Sequence, residues 1–276
     1  MHCAIRYAAM LLAFLSTLDE AASGASSIVP IRIRGHFPVA VATIDGIDVP
    51  LIFDLGDASP LVLSRAVFDR IKTVPIREAH RSKDVQGNVI QSPMFKVPQL
   101  RIGNAIFTDV IGRLDIHDPS YQATRVGQQG YFGTSLLRSY QVVLDYPHRK
   151  MTLIPAGGAG DRASVCKGTA VPFLPEWHGE AVTVARTDLG ESTAVWDTGS
   201  PVSIIRKSRL QSIRGTAGEG SVVTKQLFLG GTDFGPLKLG VLDYLEPSGS
   251  DMFIGYSFFA KHVVCVDFPG KQLLID

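Results

Sequence analysis

An acidic residue follows an apolar run in the second half of the chain. Residues 195–200 read Val-Trp-Asp-Thr-Gly-Ser, so Asp197 comes directly after side chains that are typical of a buried strand. Burial of a carboxylate is costly unless hydrogen bonds compensate for the lost water. We expect the hydroxyls of Thr198 and Ser200, and a tight backbone turn at Gly199, to supply those hydrogen bonds. A carboxylate held in this way is a candidate for acid–base chemistry.

A related motif follows an apolar run in the first half. Residues 54–57 read Asp-Leu-Gly-Asp, so Asp54 and Gly56 occupy the same places as the aspartate and the glycine of the second motif. Leu55 stands where that motif has a threonine, and Asp57 stands where it has a serine. Each half of the chain therefore offers one carboxylate in the same local setting.

Landmarks on either side of these motifs occur in the same order in both halves. A Val-Pro pair opens each copy, at residues 29–30 and 171–172. A strand-like segment that ends in glycine follows each motif, at residues 100–103 and 227–230. Apolar and polar residues alternate between the landmarks, as they do in half-buried strands. Asp45-Gly46 in the first copy and Leu189-Gly190 in the second predict a hairpin turn within each alternating stretch. These observations indicate an internal repeat of a β-rich unit.

The ends of the two copies align without a gap. Tyr-Phe-Gly at residues 131–133 aligns with Phe-Ile-Gly at residues 253–255, and further along Asp145 aligns with Asp267. Each of these last two acids is followed by an aromatic residue and a proline, which is typical of a hairpin turn. We therefore interpret Asp145 and Asp267 as structural residues.

The pattern predicts an all-β fold with a few short helices. Helices are expected at residues 65–71, 135–140, 206–213 and 257–262. Residues 155–168 have the glycine-rich composition of a linker. We accordingly place an N-terminal lobe at residues 26–156 and a C-terminal lobe at residues 157–276.

The two motifs resemble those of the pepsin-like and retropepsin-like aspartic peptidases. In that family each half carries an Asp-Thr-Gly loop, and an apolar-apolar-glycine segment follows later in the same half. The resemblance extends from about residue 28 to residue 276 and is strongest in the second copy. It implies two similar lobes of the pepsin/retropepsin acid-protease type, related by a pseudo-twofold axis.

The resemblance also implies a peptidase in which Asp54 and Asp197 form the catalytic pair. Two carboxylates at close range hold one proton between them, so that one can activate a water molecule while the other protonates the peptide carbonyl. This chemistry needs no metal and no other cofactor, and its substrate is a peptide or a protein. The resemblance assigns supporting positions around the pair to Gly56, Asp57, Gly133, Thr198, Gly199, Ser200 and Gly255.

The first loop departs from the family motif at two positions. Leu55 lacks the hydroxyl with which a threonine would brace the loop against its partner. If the side chain of Asp57 points inward, a third carboxylate would raise the apparent pKa of the neighbouring acids. One alternative is therefore a catalytically impaired homologue that binds or scaffolds peptides. Another is a β-rich carbohydrate or ligand binder unrelated to peptidases, which requires the two aspartates to be coincidental.

The N-terminal residues have the features of a secretory signal. A mildly basic start precedes an apolar stretch at residues 8–18, which is short for a bilayer span, and small residues follow it. We predict a signal peptide at residues 1–25, export to the periplasm or the exterior, and no stable membrane insertion after its removal. The alternative is an N-terminal core helix.

The charge, the histidines and the cysteines of the chain bear on nucleic-acid binding, metal binding and disulfide formation. The formal net charge is +1 and no basic run occurs, which argues against a nucleic-acid partner. The 7 histidines are scattered singly, so metal-ligand spacing is absent. Cys166 and Cys265 either form one disulfide, as an exported protein allows, or remain separate thiols.

Residues 84–90 form either a hairpin that closes over a substrate or an ordinary exposed hairpin. We expect a monomer.

Overall fold

The computed structural model describes residues 25–83, 89–116, 129–157, 166–175, 179–215, 220–243 and 249–276. Most of these residues lie in β-strands, and the helices among them are short. The predicted all-β class with a few short helices is therefore confirmed.

The strands divide between the two halves of the chain. Those of the first half are β1 Ser27–Arg34, β2 Phe37–Ile44, β3 Ile47–Asp54, β4 Val62–Leu63, β5 Val74–Lys83, β6 Val89–Ile102, β7 Ala105–Leu114, β8 Gly130–Gly133, β9 Tyr140–Asp145 and β10 Lys150–Pro155. Those of the second half are β11 Thr169–Pro172, β12 Val182–Thr187, β13 Gly190–Trp196, β14 Ser203–Arg206, β15 Ser221–Val223, β16 Leu227–Leu229, β17 Thr232–Asp233, β18 Lys238–Leu242, β19 Met252–Ile254, β20 Val263–Asp267 and β21 Gln272–Ile275.

Short helical segments connect some of these strands. They are α1 Arg65–Phe68, a 3-10 turn at Thr134–Leu137, α2 Lys207–Arg214 and α3 Tyr256–Phe259. Each overlaps a predicted helix, but all except α2 are shorter than predicted. Within the described part of the chain, no helix has the length and hydropathy that a bilayer span requires.

Each half contains a hairpin that leads into one of the two motifs. The turn between β2 and β3 has positive φ angles at Asp45 (50°) and Gly46 (75°), a region that two-residue hairpin turns require and that aspartate and glycine tolerate. The matching turn in the second half consists of Asp188 and Leu189, and Gly190, the first residue of β13, has a φ of 97°. The sequence predicted the first turn at Asp45-Gly46, as observed, and the second turn one residue later, at Leu189-Gly190.

The strands around these hairpins repeat one arrangement. In the first half, β3 lies between β2 and the parallel strand β8, which also pairs with β4. In the second half, β13 lies between β12 and the parallel strand β19, which also pairs with β14. Asp54 ends β3 and Asp197 follows β13. The two acids therefore leave equivalent strands at equivalent places.

Aromatic packing anchors the second of these strands. Trp196 is fully buried, and its ring meets Phe258 and Phe259 edge-on. Its indole Nε1 donates a hydrogen bond to Thr183 Oγ1 at 2.9 Å, which satisfies the one polar atom of the ring. The residue before Asp197 is thus fixed on both sides.

One sheet joins the two halves of the chain. Its strands run in the order β11-β21-β20-β9-β10-β1, so strands from the second half continue directly into strands from the first. The junction is the antiparallel pair β9 and β20, in which Val143 lies opposite Cys265. No pattern in the sequence predicted this shared sheet. The boundary between the lobes near residue 156 stays a prediction.

A disulfide lies at the same junction. Cys166 and Cys265 are bonded, with a Cα–Cα distance of 5.5 Å that is ordinary for a disulfide. The pair packs with Val143 and Ile154 in a small apolar cluster. Of the two alternatives for these cysteines, the structure contains the disulfide.

Candidate active site

Asp54 and Asp197 occupy matching positions at the ends of their strands. Asp54 lies opposite Gly133 in the parallel pairing of β3 with β8. The N–H of Asp197 donates to the carbonyl oxygen of Ile254, the last residue of β19, at 2.9 Å. Asp54 is buried and Asp197 is partly buried. Each acid thus begins a tight loop at the end of a buried strand.

The two loops contact each other through their glycines. A Cβ atom placed on Gly56 would lie 2.6 Å from the carboxyl carbon of Asp197. A Cβ atom placed on Gly199 would lie 2.5 Å from Asp54 Oδ2. Such contacts leave no room for a side chain, so each glycine lets the opposite carboxylate approach its backbone. The structure therefore brings Asp54 and Asp197 to one place.

Backbone amides hold both carboxylates. The N–H of Gly56 donates to Asp54 Oδ1 at 3.0 Å, and the N–H of Gly199 donates to Asp197 Oδ1 at 2.7 Å. Hydrogen bonds from N–H groups favour the ionised form of a carboxylate and fix its orientation.

The prediction that hydroxyls would hold Asp197 was wrong. Thr198 Oγ1 donates to the carbonyl oxygen of Phe53 at 2.6 Å, and Ser200 Oγ donates to the carbonyl oxygen of Val202 at 2.7 Å. A hydroxyl has one proton to donate, so neither group has a proton left for the carboxylate.

The hydroxyl of Thr198 connects the two loops. Besides donating to Phe53, it accepts a hydrogen bond from the N–H of Leu55 at 2.9 Å. Leu55 is fully buried in the main core and has no hydroxyl with which to make the reciprocal contact. A threonine therefore braces the pair of loops from one side.

Asp57 is bound by a buried arginine. Asp57 Oδ2 accepts hydrogen bonds from Arg113 Nη2 at 3.2 Å and from the hydroxyl of Tyr131 at 2.9 Å. Asp57 Oδ1 accepts the N–H of Ser59, and Arg113 Nε donates to Ser59 Oγ at 3.1 Å. These four residues are called the Asp57 cluster below.

The other residues of the Asp57 cluster lower the pKa of this third carboxylate. Burial alone would raise the pKa of Asp57, but the charge of Arg113 and the hydrogen bonds from Ser59 and Tyr131 outweigh burial, so the pKa lies below its usual value. Asp57 is thus an ionised partner of Arg113. The adjacent positive charge offsets the effect that Asp57 would otherwise have on the pKa of neighbouring acids.

Gly133 is the last residue of β8 and Gly255 directly follows β19, and each lies against the loop that follows an aspartate. A Cβ atom on Gly133 would lie 2.0 Å from the carbonyl oxygen of Asp57, and one on Gly255 would lie 2.4 Å from that of Val202. Both positions therefore exclude a side chain. The loop after Asp54 therefore packs directly on the backbone at the end of β8, and the loop after Asp197 packs directly on the backbone at the end of β19.

Three residues near the two loops were missed by reasoning from the sequence. Burial raises the pKa of Tyr146 well above its ordinary value, and the negative charges of Asp197 and Asp54 raise it further. Arg113 and Tyr131 were missed as members of the Asp57 cluster. One signal was available: the repeat has phenylalanine at the positions that match Tyr131 and Tyr146.

The second pair of aligned acids lies in turns, as predicted. Asp145 Oδ1 accepts the N–H of His148 at 3.1 Å, and Asp267 Oδ1 accepts the N–H of Gly270 at 3.0 Å. Asp145 also forms an ion pair with Lys150 at 3.2 Å. Both acids cap hairpins of the shared sheet.

The predicted hairpin at residues 84–90 falls largely outside the described residues. Only Val89 and Ile90 are described, and they begin β6. Closure over a substrate stays a prediction. Within the described ranges, no group of three or more His, Cys, Asp or Glu residues is arranged to hold a metal ion.

Comparison with known proteins bears on the fold. No family model and no curated protein match the chain. Among solved structures, the aspartic proteinase from Irpex lacteus is similar to it, with a TM-score of 0.61 and 15% sequence identity. The match covers 91% of this chain and 97% of that one. The chain therefore has the fold of the pepsin-like aspartic proteinases.

Proposed function

We propose that this protein is an aspartic endopeptidase in which Asp54 and Asp197 form the catalytic pair. The observation that carries the proposal is the contact between the two loops, where each carboxylate lies against the glycine of the opposite loop. The pepsin-like fold supports the same function. The site is the stronger support, because one fold often hosts unrelated functions.

In the proposed reaction, the pair starts with a single proton. The ionised carboxylate takes a proton from a water molecule, whose oxygen attacks the peptide carbonyl carbon, while the other carboxyl protonates the carbonyl oxygen. The C–N bond then breaks. The amine leaves with a proton from the pair, and a hydroxyl of the tetrahedral intermediate returns one. The pair thus regains its starting state, and the shared proton belongs to neither residue alone.

Residues of both loops orient the pair in this mechanism. The N–H groups of Gly56 and Gly199 each hold one oxygen of the carboxylate in their own loop, which fixes the orientation of that carboxylate. The hydroxyl of Thr198 keeps the loops in register. Fixed geometry of this kind lowers the barrier because the reacting groups need not be ordered during the reaction.

We also propose that the protein acts as an exported monomer on peptides or proteins. The apolar stretch near its N-terminus and the Cys166–Cys265 disulfide both support export, because disulfides persist in oxidising compartments. Export can be measured by fractionating cells that express the full chain. Retention in the cytoplasm would overturn this part of the proposal.

Peptide cleavage tests the proposed reaction. Purified protein is incubated with an unfolded protein substrate from about pH 3 to about pH 8, and mass spectrometry identifies the products. We expect cleavage by the wild type. Asp54→Asn and Asp197→Asn should each lower kcat by about 1,000-fold or more, and the double variant should be no worse, because the pair acts as a unit.

Asp267→Asn is the matched control, because it makes the same substitution at an acid that serves a turn. It should leave kcat unchanged. Circular dichroism checks that all variants are folded. Full activity in Asp197→Asn would exclude the catalytic pair. A folded wild type that cleaves nothing across the pH range would favour the impaired, peptide-binding homologue.

A further inference from the structure

The two loops of the candidate site are anchored differently. In the second loop, the residue after the glycine is Ser200, whose hydroxyl makes a local hydrogen bond to Val202. In the first loop, the equivalent residue is Asp57, whose carboxylate binds side chains from two distant strands. The loop that lacks a threonine is therefore the one with the additional long-range contacts.

The Asp57 cluster connects the first loop to the sheet that supports it. Arg113 belongs to β7 and Tyr131 to β8, and β4 pairs with both of these strands. Two hydrogen bonds to Asp57 Oδ2 and one to Oδ1 hold the carboxylate on both of its oxygens. Asp57 follows Asp54 by three residues, so these contacts restrict the position of the whole loop.

Stability alone does not explain a buried arginine at this place. Arg113 is 6% exposed, and its Nη1 atom has no hydrogen-bond partner among the described residues. Apolar residues of similar volume often stabilise a protein more than a buried ion pair does. The contact with Asp57 therefore points to a positional role, in which the ion pair fixes one arrangement of the loop.

We propose that Asp57 and Arg113 are positioning residues that replace, for the first loop, the brace that Leu55 cannot provide. This inference rests on the proposed function, because the group to be positioned is Asp54. The substitutions at positions 55 and 57 are then complementary. The first loop is braced to its own sheet by an ion pair, and the second loop is braced to the first by Thr198.

This proposal predicts coupling between position 55 and the ion pair. A threonine at position 55 would restore the reciprocal contact, because the hydroxyl of Thr198 already reaches Leu55 and Phe53 from the opposite loop. The ion pair should then matter less. Effects of independent sites add, whereas residues that share one task are not additive.

The experiment is a double-mutant cycle in which the loss of the ion pair is one change and Leu55→Thr is the other. The pair Asp57→Ser with Arg113→Met removes the ion pair without leaving an unpaired buried charge. It is made in the wild type and in Leu55→Thr. Lys96→Met is the matched control, because it removes an exposed ion pair with Asp109 between β6 and β7. The readouts are kcat and KM for peptide cleavage and hydrogen exchange of the amides of residues 54–59.

In the wild-type background, the paired variant should lower kcat by about 10- to 100-fold with little change in KM, because the loop is misplaced rather than the substrate lost. Exchange at residues 54–59 should rise about tenfold. In the Leu55→Thr background, both effects should fall below about threefold. The Lys96→Met control should change neither readout.

Equal effects in both backgrounds would overturn the proposal, and so would no effect in either. If the wild type cleaves no peptide, the proposed function fails, but the exchange measurement still decides whether the ion pair braces the loop. If the paired variant does not fold, Tyr131→Phe removes a single hydrogen bond to Asp57. The effect of Tyr131→Phe on kcat and on amide exchange should be smaller than that of the paired variant, and it should likewise fall in the Leu55→Thr background. An effect of Tyr131→Phe that is equal in both backgrounds would count against the proposal.

Discussion

At the scale of single residues, the approach of the two loops depends on the absence of two side chains. Gly56 and Gly199 each contact the opposite carboxylate where a Cβ atom would stand. Neither has a φ angle in the left-handed region, so an alanine could adopt the backbone conformation. The reason for glycine at these positions is space next to a carboxylate.

Gly199→Ala should therefore impair activity more than stability. Its methyl group would displace the carboxylate of Asp54, and a misplaced catalytic group costs about 100-fold in kcat. The melting temperature should change by only a few degrees. Gly240→Ala is the control, because its Cβ atom would meet neighbours at an ordinary 3.8 Å. Normal activity in Gly199→Ala would contradict the close approach of the loops.

At the scale of elements, two equivalent hairpin turns of the shared sheet should differ in how their contribution to stability depends on pH. Asp145 and Asp267 hold equivalent turns, but only Asp145 has basic partners among the described residues, at His148 and Lys150. Burial alone would raise the pKa of Asp145, and these partners outweigh burial, so the pKa lies below its usual value.

Asp145→Asn should lower the free energy of unfolding by about 1–2 kcal/mol near neutral pH, because charge-assisted hydrogen bonds are lost. A lowered native pKa stabilises the native state fully above the unfolded pKa of about 4, and this contribution disappears as the pH falls through the native value. The difference between variant and wild type should therefore shrink at acid pH. Urea unfolding at several pH values measures it.

Asp267→Asn serves as the comparison for that series. It loses a similar turn hydrogen bond without losing an ion pair, so its effect should vary less with pH. An Asp145→Asn deficit that stays constant down to about pH 3 would contradict the assigned role of His148 and Lys150.

At the scale of the whole molecule, the hydrogen bonds of the shared sheet connect the halves. The sheet passes from β20 to β9 without interruption, and the Cys166–Cys265 disulfide lies beside that junction. The cysteines are 99 residues apart in the chain. A cross-link of this length removes much of the freedom of the unfolded chain, which stabilises the folded state.

The double variant Cys166→Ser with Cys265→Ser should lower the free energy of unfolding by about 2–5 kcal/mol. Equilibrium unfolding in urea measures this loss. Wild-type protein unfolded in the presence of a thiol reductant should show the same midpoint as the variant. A wild-type midpoint that does not respond to reductant would show that the bond is not formed.

Much of the fold followed from local patterns in the sequence. The repeated landmarks, the alternation of apolar and polar residues and the turns at Asp45 and Gly190 predicted a duplicated β-rich chain. Strand periodicity and turn chemistry depend on near neighbours, so a sequence displays them directly. For the same reason, the two aspartates and their glycines could be recognised from the order of residues alone.

Only the tertiary structure decided which groups contact each other. The hydroxyls of Thr198 and Ser200 bind carbonyl groups rather than Asp197, Arg113 neutralises Asp57, and β9 pairs with β20 across the halves. Many of these contacts join residues far apart in the chain. Their partners depend on how strands and loops pack in three dimensions, because a buried polar group pairs with whichever donor or acceptor the fold brings within reach.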